Sequence, residues 1–459
     1  MGPSVSMHAG FGRSHDGAEA ADERNAARAE RALLRANRGL SALERTLWPF
    51  APADPRRIGV LREGMLGDVA VALPALDVVR RTFPGAELIL LSSPGPRGAP
   101  GAADLLGPDG PFAVVQWHRD DLVGLRGKAR LLARLRALRL DLVVVLPAAL
   151  TSPRRAAQHA LALFAAGVGA ARGFRVANAR WMRVDGPRAA HDRYNESGPA
   201  RDMPQAQRLE HHVRAVLADL SFPAPPGPAD GAQVLALSAL ERSNALQTAR
   251  VMGLDPSKPL LVLVPGAKLE LKRWPAERFV QIGARWRDAG GAVAVIGSQA
   301  EAPLAGAIAD GIHAGSGDRH ADGRSALALA GHLGVRGTAA LLEHARACLS
   351  NDTGPAHVAA LLGTPTVVLQ AARDRRGAWD PSGPTRFAGI ALRASVPCAP
   401  CFLDTCPVGR RCLLDLDVES TWSALVRVAG RPCAAPAPER ERGPPAPFPR
   451  HGLTARRGR

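Results

Sequence analysis

A chain of 459 residues, 46% of them hydrophobic, can bury the cores of two domains of ordinary size. A mean hydropathy of −0.05 and the lack of any uncharged apolar run near 18 residues exclude a helical membrane span, and the first residues lack the charged-then-apolar pattern of an export signal, so a cytoplasmic location is expected. The net charge of +17 is carried almost wholly by arginine, since Lys128, Lys258, Lys268 and Lys272 are the only lysines.

Residues 1–55 read as an extension, partly helical or disordered. From Ala20 to Trp48 they are rich in Ala, Arg and Glu, with Leu33, Leu34, Leu40, Leu43 and Leu47 as a partial apolar stripe. Over residues 1–50, six acids offset seven arginines, so lipid attraction is weak and docking on the body or loose order is expected. A βαβ opening follows: a strand over 57–62, a Gly64-Met65-Leu66-Gly67-Asp68 turn, a helix over 69–82 with Pro74 in its pattern, and a strand over 86–91. Gly-x-x-Gly replaces the dinucleotide Gly-x-Gly-x-x-Gly, which disfavours a dehydrogenase. Asp68 stands at the carboxyl end of the first strand, where open parallel sheets place ligands; a plain helix cap is the other reading.

Residues 119–139 predict a basic helix, and 142–146 a strand apolar on both faces. Between Arg119 and Arg214, 18 basic residues face 8 acidic ones, a surplus of +10. That surplus favours an anionic partner such as a phosphorylated glycolipid, an acidic membrane face or nucleic acid; a solvated basic surface is the alternative. Residues 222–233 are a Pro/Gly-rich linker between one domain over 56–221 and another over 234–430.

Beyond the linker the strand–loop–helix period returns. A buried strand over 260–264 ends in Pro265-Gly266-Ala267-Lys268, followed by Lys272-Arg273-Trp274-Pro275 and a helix to about residue 289. A strand over 292–296 runs into Gly297-Ser298-Gln299-Ala300-Glu301. A helix over 338–346 precedes the stretch 351–370, NDTGPAHVAALLGTPTVVLQ. There Asn351, Asp352, Thr353 and Gly354 suit a turn and helix cap, Pro355 suits a first helical position, and 366–369 reads as a buried strand. Backbone N–H groups at that helix start, with His357 beside them, make an anion site suited to phosphate; an ordinary capped helix is the other reading. The period on both sides of the linker predicts two doubly wound α/β domains facing each other. Residues 431–459, rich in Pro and Arg, are expected to be a disordered basic tail.

Four segments, GMLGDVAVALPALDVVRRTFPGAEL, LVPGAKLELKRWPAERF, VIGSQAE and SNDTGPAHVAALLGTPTVVL, together resemble glycosyltransferase family 9, the lipopolysaccharide core heptosyltransferase family. PCAPCFLDTCPVGRRCLLDLDVESTW resembles a cysteine-bearing region of many members. The resemblance implies the GT-B arrangement: two Rossmann-like domains across a cleft, with inverting, metal-independent transfer. It implies a nucleotide-sugar donor, ADP-heptose, and an anionic glycolipid or oligosaccharide acceptor, with possible peripheral contact at the cytoplasmic face of the inner membrane and no nucleic acid. Asp68 matches the catalytic base; Lys272, Asp352, Thr353, Gly354 and His357 match the donor diphosphate site; Glu301 matches the ribose-binding acid. Asp352, being negative, suits orienting the loop or sugar hydroxyls better than holding phosphate. No cofactor and no catalytic metal are implied.

One departure stands out. Where the family has Gly and a Thr-x-Pro turn near the sugar, this chain reads Gln370-Ala371-Ala372-Arg373-Asp374, and a Gln at a close-approach position is expected to crowd the donor. Two alternatives therefore stay open: a relative with another nucleotide sugar or acceptor, and a catalytically silent nucleotide-binding scaffold. Cys398, Cys401, Cys406 and Cys412, spaced x2, x4 and x5, fit either a structural zinc site or reduced thiols, and the proposed chemistry needs none of them.

Overall fold

The computed structural model describes residues 12–148, 151–176, 203–314, 325–381 and 389–429. The tail at 431–459, and much of the basic stretch within 119–214, lie outside the described residues.

The first domain is a five-stranded parallel sheet in the order β3-β2-β1-β4-β5. Its strands are β1 (Arg57–Glu63), β2 (Glu87–Ser93), β3 (Ala113–Gln116), β4 (Leu142–Val145) and β5 (Ala170–Arg172). The second sheet runs β11-β10-β9-β6-β7-β8 and is also wholly parallel. It comprises β6 (Leu260–Val264), β7 (Ala292–Val295), β8 (Ala326–Ala328), β9 (Ala347–Asn351), β10 (Thr366–Leu369) and β11 (Gly389–Leu392). Each sheet starts in its middle and winds outward both ways, so each has a switch point, at β1/β4 and at β6/β9. The two-domain α/β arrangement expected from the strand–helix period is thus present. The central strands β4, β6, β7, β9 and β10 are buried along their whole length, which explains their unbroken apolar or small composition.

The helix α1 (Gly12–Leu47) is docked rather than loose. Leu33 and Leu40 of the expected stripe are buried, and the packing continues into Trp48, which stacks on Phe174 at 6.2 Å and donates from its indole to Val168 O at 2.8 Å. Glu44 accepts the Phe174 amide at 2.6 Å, and Asn37 makes two bonds to the Val176 backbone. Burial raises the Glu44 carboxyl above its ordinary value, against the pull of the Phe174 amide. The end of the extension meets β5, the edge strand of the first sheet among the described residues, where Arg172 donates to Trp48 O at 2.7 Å.

The helix expected over 69–82 is two helices, α2 (Leu66–Ala70) and α3 (Leu73–Thr82). Pro74 is the reason: without an N–H it fits only a first turn, so a new helix starts at Leu73. Next come α4 (Ala102–Leu106) and α5 (Gly124–Ala137); the basic helix expected from residue 119 is interrupted after a short 3-10 turn, at Val123 and the positive-φ Gly124. Then follow α6 (Pro153–Ala165), α7 (Gln205–Asp219), α8 (Gly231–Leu235) and α9 (Ala239–Val251). The Pro/Gly-rich connection is pinned along the first domain. Arg214 donates to Pro225 O and Gly227 O, Phe222 meets Phe83 edge-on at 4.9 Å, and Asp77 accepts the Asp230 amide.

The second domain carries α10 (Ala276–Asp288), α11 (Ala302–Ala314), α12 (Val335–His344), α13 (Gly354–Leu361), α14 (Arg411–Leu414) and α15 (Val418–Ala429). Arg336 of α12 fastens it to the first. Its guanidinium donates to Leu105 O, Leu106 O, Leu235 O and Ala236 O and pairs with Glu241, whose carboxyl it holds down at about 2. No helix among the described residues is long and apolar enough to cross a membrane.

Candidate active site

The two switch points face one another, and the expected site residues lie on them. On the first domain, β1 ends in Arg62 and Glu63, and Gly64 turns the chain at φ 136°. A side chain at Gly64 would collide with Asp68, so this turn requires glycine. Asp68 Oδ2 accepts the Met65 amide at 3.1 Å, so the capping role is real. The cap leaves Asp68 Oδ1 3.6 Å from Arg62 and the side chain 31% exposed, so the carboxylate keeps a face toward the cleft. Arg62 itself has no exposed side chain; it donates to Asp68 O at 3.0 Å and across the switch point to Pro147 O at 2.7 Å. Burial lowers the Arg62 guanidinium from its ordinary value, opposed by the charges of Asp68 and Glu63.

On the second domain, Asn351 is fully buried at the end of β9. Its amide donates to Pro265 O at 2.6 Å, and its oxygen accepts the Trp274 amide at 3.1 Å. One side chain thus ties the loop after β6 and the Lys272–Trp274 loop to β9. Trp274 is locked in turn through its indole bond to Leu416 O at 3.0 Å. The fixed loop delivers Lys272 Nζ to Asp352 Oδ2 at 2.7 Å, with Asp374 Oδ2 at 4.0 Å. His357 Nε2 lies 3.7 Å from the other oxygen of Asp352. Burial by itself raises the Asp352 carboxyl, but Lys272 and then His357 outweigh it and hold it well below the carboxylate range. Burial likewise disfavours the Lys272 ammonium, yet Asp352 and Asp374 overcome it and raise its pKa.

Lys272 is therefore a held cation, with one of its three donors given to Asp352 and two left for a ligand. The amide supply at the start of α13 is smaller than the sequence implied. Pro355 has no N–H and the Ala356 amide bonds Thr353 O at 3.2 Å, which leaves the amides of Thr353 and Gly354. Thr353 makes no side-chain cap and only long contacts of 3.4 Å to Asn351 O and Ser350 Oγ.

The halves touch through two glycines. A Cβ on Gly354 would lie 3.1 Å from Gly67 N, and one on Gly67 would lie 3.3 Å from Gly354 Cα. Lys268 Nζ adds a 3.7 Å contact to Met65 Sδ. The Asp68 turn and the Asp352–His357 loop are thus brought face to face. Glu301 stands one strand over, at the end of β7. Its Oε2 accepts from the Ser298 amide and hydroxyl, both at 2.8 Å, and its other oxygen covers Gly266, where any side chain would collide with it.

Three further features bear on the expectations. Gln370 is 5% exposed, and its amide donates to Trp379 O at 3.1 Å and Asp380 Oδ1 at 3.2 Å. The four cysteines border one open pocket of about 490 Å³, with Cys398 exposed. Among the described residues no three His, Cys, Asp or Glu side chains are placed to hold a metal ion. Arg62, Asn351, Asp374 and Trp379 join the site without having been singled out. The charged pair ending β1 was the only visible signal for Arg62, and Asn351 read as a turn former.

Comparison with known proteins bears on the family and the fold. Residues 201–410 match the model of glycosyltransferase family 9 (heptosyltransferase). Lipopolysaccharide heptosyltransferase 1 of Pseudomonas aeruginosa is 27% identical over 375 residues, 76% of this chain and 87% of that protein. Through these matches the chain is similar to glycosyltransferase family 9. Its fold is that of a family 9 glycosyltransferase from Veillonella parvula, with a TM-score of 0.61 at 16% identity, covering 83% of this chain and 99% of the other. It is also that of Escherichia coli ADP-heptose lps heptosyltransferase II, with a TM-score of 0.55 at 19% identity, covering 81% and 98%. The chain is accordingly a glycosyltransferase of GT-B type, heptosyltransferase-like.

Proposed function

We propose that the protein transfers a heptose from ADP-heptose to a lipopolysaccharide-type acceptor, with inversion at the sugar carbon and no metal. The observation that carries this reading is the contact of Gly67 with Gly354, which sets the Asp68 turn against the Lys272–Asp352–His357 cluster. The relatives' names, lipopolysaccharide heptosyltransferase 1 and ADP-heptose lps heptosyltransferase II, support the choice of donor and acceptor class. In the proposed step the acceptor hydroxyl oxygen bonds to the anomeric carbon as the bond to the diphosphate breaks on the opposite face. The hydroxyl proton passes to Asp68, and ADP departs with the electron pair. The two remaining Lys272 donors, the Thr353 and Gly354 amides and a donating His357 receive the charge growing on the diphosphate. Asp352 holds Lys272 and His357 in place rather than touching phosphate, and Glu301 offers its oxygens to the ribose hydroxyls. The domain limits proposed are 56–221 and 234–430, with 222–233 between them.

Incubation with ADP-heptose and a heptose-deficient lipopolysaccharide in EDTA, read by NMR of the product, tests this. The expected product carries the inverted linkage at an undiminished rate. A retained linkage removes the direct displacement, and loss of rate in EDTA removes metal independence. Transfer from another nucleotide sugar alone would favour the second reading, a different donor. The stretch Gln370-Ala371-Ala372-Arg373-Asp374, where the resemblance places a Gly and a Thr-x-Pro turn, supports that reading.

We also propose an anionic acceptor or membrane face for the basic half of the first domain. Val123 and Leu125 are 76% and 85% exposed at the head of α5, which carries Arg126, Lys128, Arg130, Arg134 and Arg136. Binding to anionic vesicles is expected to weaken severalfold from low to physiological salt as exposed charges are screened. Salt-independent binding, or none, counts against this surface.

A further inference from the structure

We propose that Trp379 is a positioning residue that fixes the His357 imidazole, with Gln370 holding Trp379 in place; the assignment rests on the diphosphate reading above. His357 is almost wholly enclosed. One side of its ring faces Asp352 at 3.7 Å, and another meets the Trp379 indole, with centroids 5.6 Å apart and planes inclined at 51°. A carboxylate at 3.7 Å is too distant for a full hydrogen bond and cannot by itself set the ring's rotation. The indole supplies the missing restraint by occupying the space into which the ring would turn.

Trp379 sits on irregular chain between β10 and β11, with no strand ladder or long helix to hold it. Three bonds from fixed elements take their place. Gln370 is anchored at the end of β10 by its own amide on Leu392 O at 2.8 Å, and its side chain grips Trp379 O and Asp380. From the first domain, the Gln205 amide at the head of α7 donates to Ala378 O at 2.9 Å. The departure at Gln370 thus gains a role: a side chain that is an amide rather than hydrogen reaches out to hold an aromatic wall.

A double-mutant cycle read by ADP calorimetry tests the assignment, using wild type, Trp379→Ala, His357→Ala, their combination, and Lys272→Ala. Trp379→Ala is expected to weaken ADP binding about tenfold, a coupling typical of groups in contact. In the His357→Ala background the same change should cost less than twofold, because its effect passes through the imidazole. Trp379→Phe should restore most of the affinity, and Gln370→Ala should lose part of it with the fold intact in thermal melts. In the ligand-free protein, the His357 ring resonances should shift on Trp379→Ala as the indole ring current disappears. If Lys272→Ala and His357→Ala weaken ADP while Trp379→Ala has no effect, or has equal effect in both backgrounds, the positioning role is overturned and the diphosphate reading stands. If neither Lys272→Ala nor His357→Ala weakens ADP, the diphosphate reading fails and takes this assignment with it.

Discussion

Asp68→Asn is expected to lower kcat by about 10²–10⁴-fold, the usual loss when a general base is removed, with ADP affinity close to wild type. The donor groups all belong to the second domain, so removing basicity from the first should leave donor binding alone. The structure sharpens this test because Asp68 is both cap and proposed base. Asn retains an oxygen for the Met65 amide, and Asp68 Oδ2 uses only that one hydrogen bond. Asn does not retain the charge opposite Arg62, whose Nη2 has no hydrogen-bond partner among the described residues and relies on Asp68 Oδ1 at 3.6 Å. A melting loss equivalent to about 1 kcal/mol is therefore expected, small because Asp68 is partly exposed. Asp68→Ala should lose the cap as well, a further ~1 kcal/mol. Measuring kcat, ADP affinity and melting temperature for both variants separates the roles. A fully active Asn variant would end the base assignment and leave Asp68 as a cap that partners a buried arginine.

Lys272→Met should weaken ADP binding and destabilise the fold together. Asp352 is 8% exposed and loses its 2.7 Å partner in this variant, and breaking a buried pair from one side costs about 3–5 kcal/mol. The combination Lys272→Met with Asp352→Asn should recover most of that stability without recovering ADP affinity. Should it recover both, Lys272 has only a structural role.

The pH dependence of stability has a definite sign. The Asp352 carboxyl is depressed in the folded protein, so its stabilisation is complete above the unfolded value of about 4 and disappears as pH falls through the folded value. The Lys272 ammonium is raised, so its contribution is complete below about 10.4 and disappears as pH rises through the folded value. The stability gap between wild type and the double variant should be flat from about pH 4 to about pH 10 and close toward either extreme. A gap that varies across the neutral range would point to other groups. Arg at 272 is not a conservative substitute, since a planar fork does not fill the place of a compact ammonium.

Much of the architecture could be read from local pattern. The strands over 260–264 and 366–369 are unbroken apolar or β-branched runs because both faces of a parallel sheet are covered, and the structure has them at those limits. Turn chemistry was equally legible: Gly64, Asp68, Asp352 and Gly354 stand at strand ends because only such residues make those corners. The break between α2 and α3 was encoded in Pro74 and misjudged, since a proline inside an apolar period also fits one helix that bends.

Other features depended on distance in space rather than in sequence. Arg62 read as a charged strand end, yet β4 brings Pro147 O to it and turns it into a buried fastener of the first switch point. Asn351 read as a turn former, and only the return of the loops after β6 gives it Pro265 and Trp274 as partners. Gln370 read as an obstruction because its side chain was measured against a glycine without knowing its direction. Residues nine and ten places on accept its amide, a direction local pattern does not give. Composition and period specify which segments become strands and turns, because those preferences act within a few residues. Which carboxylate neutralises Lys272, and which ring rests on His357, is decided by the packing of segments dozens of residues apart.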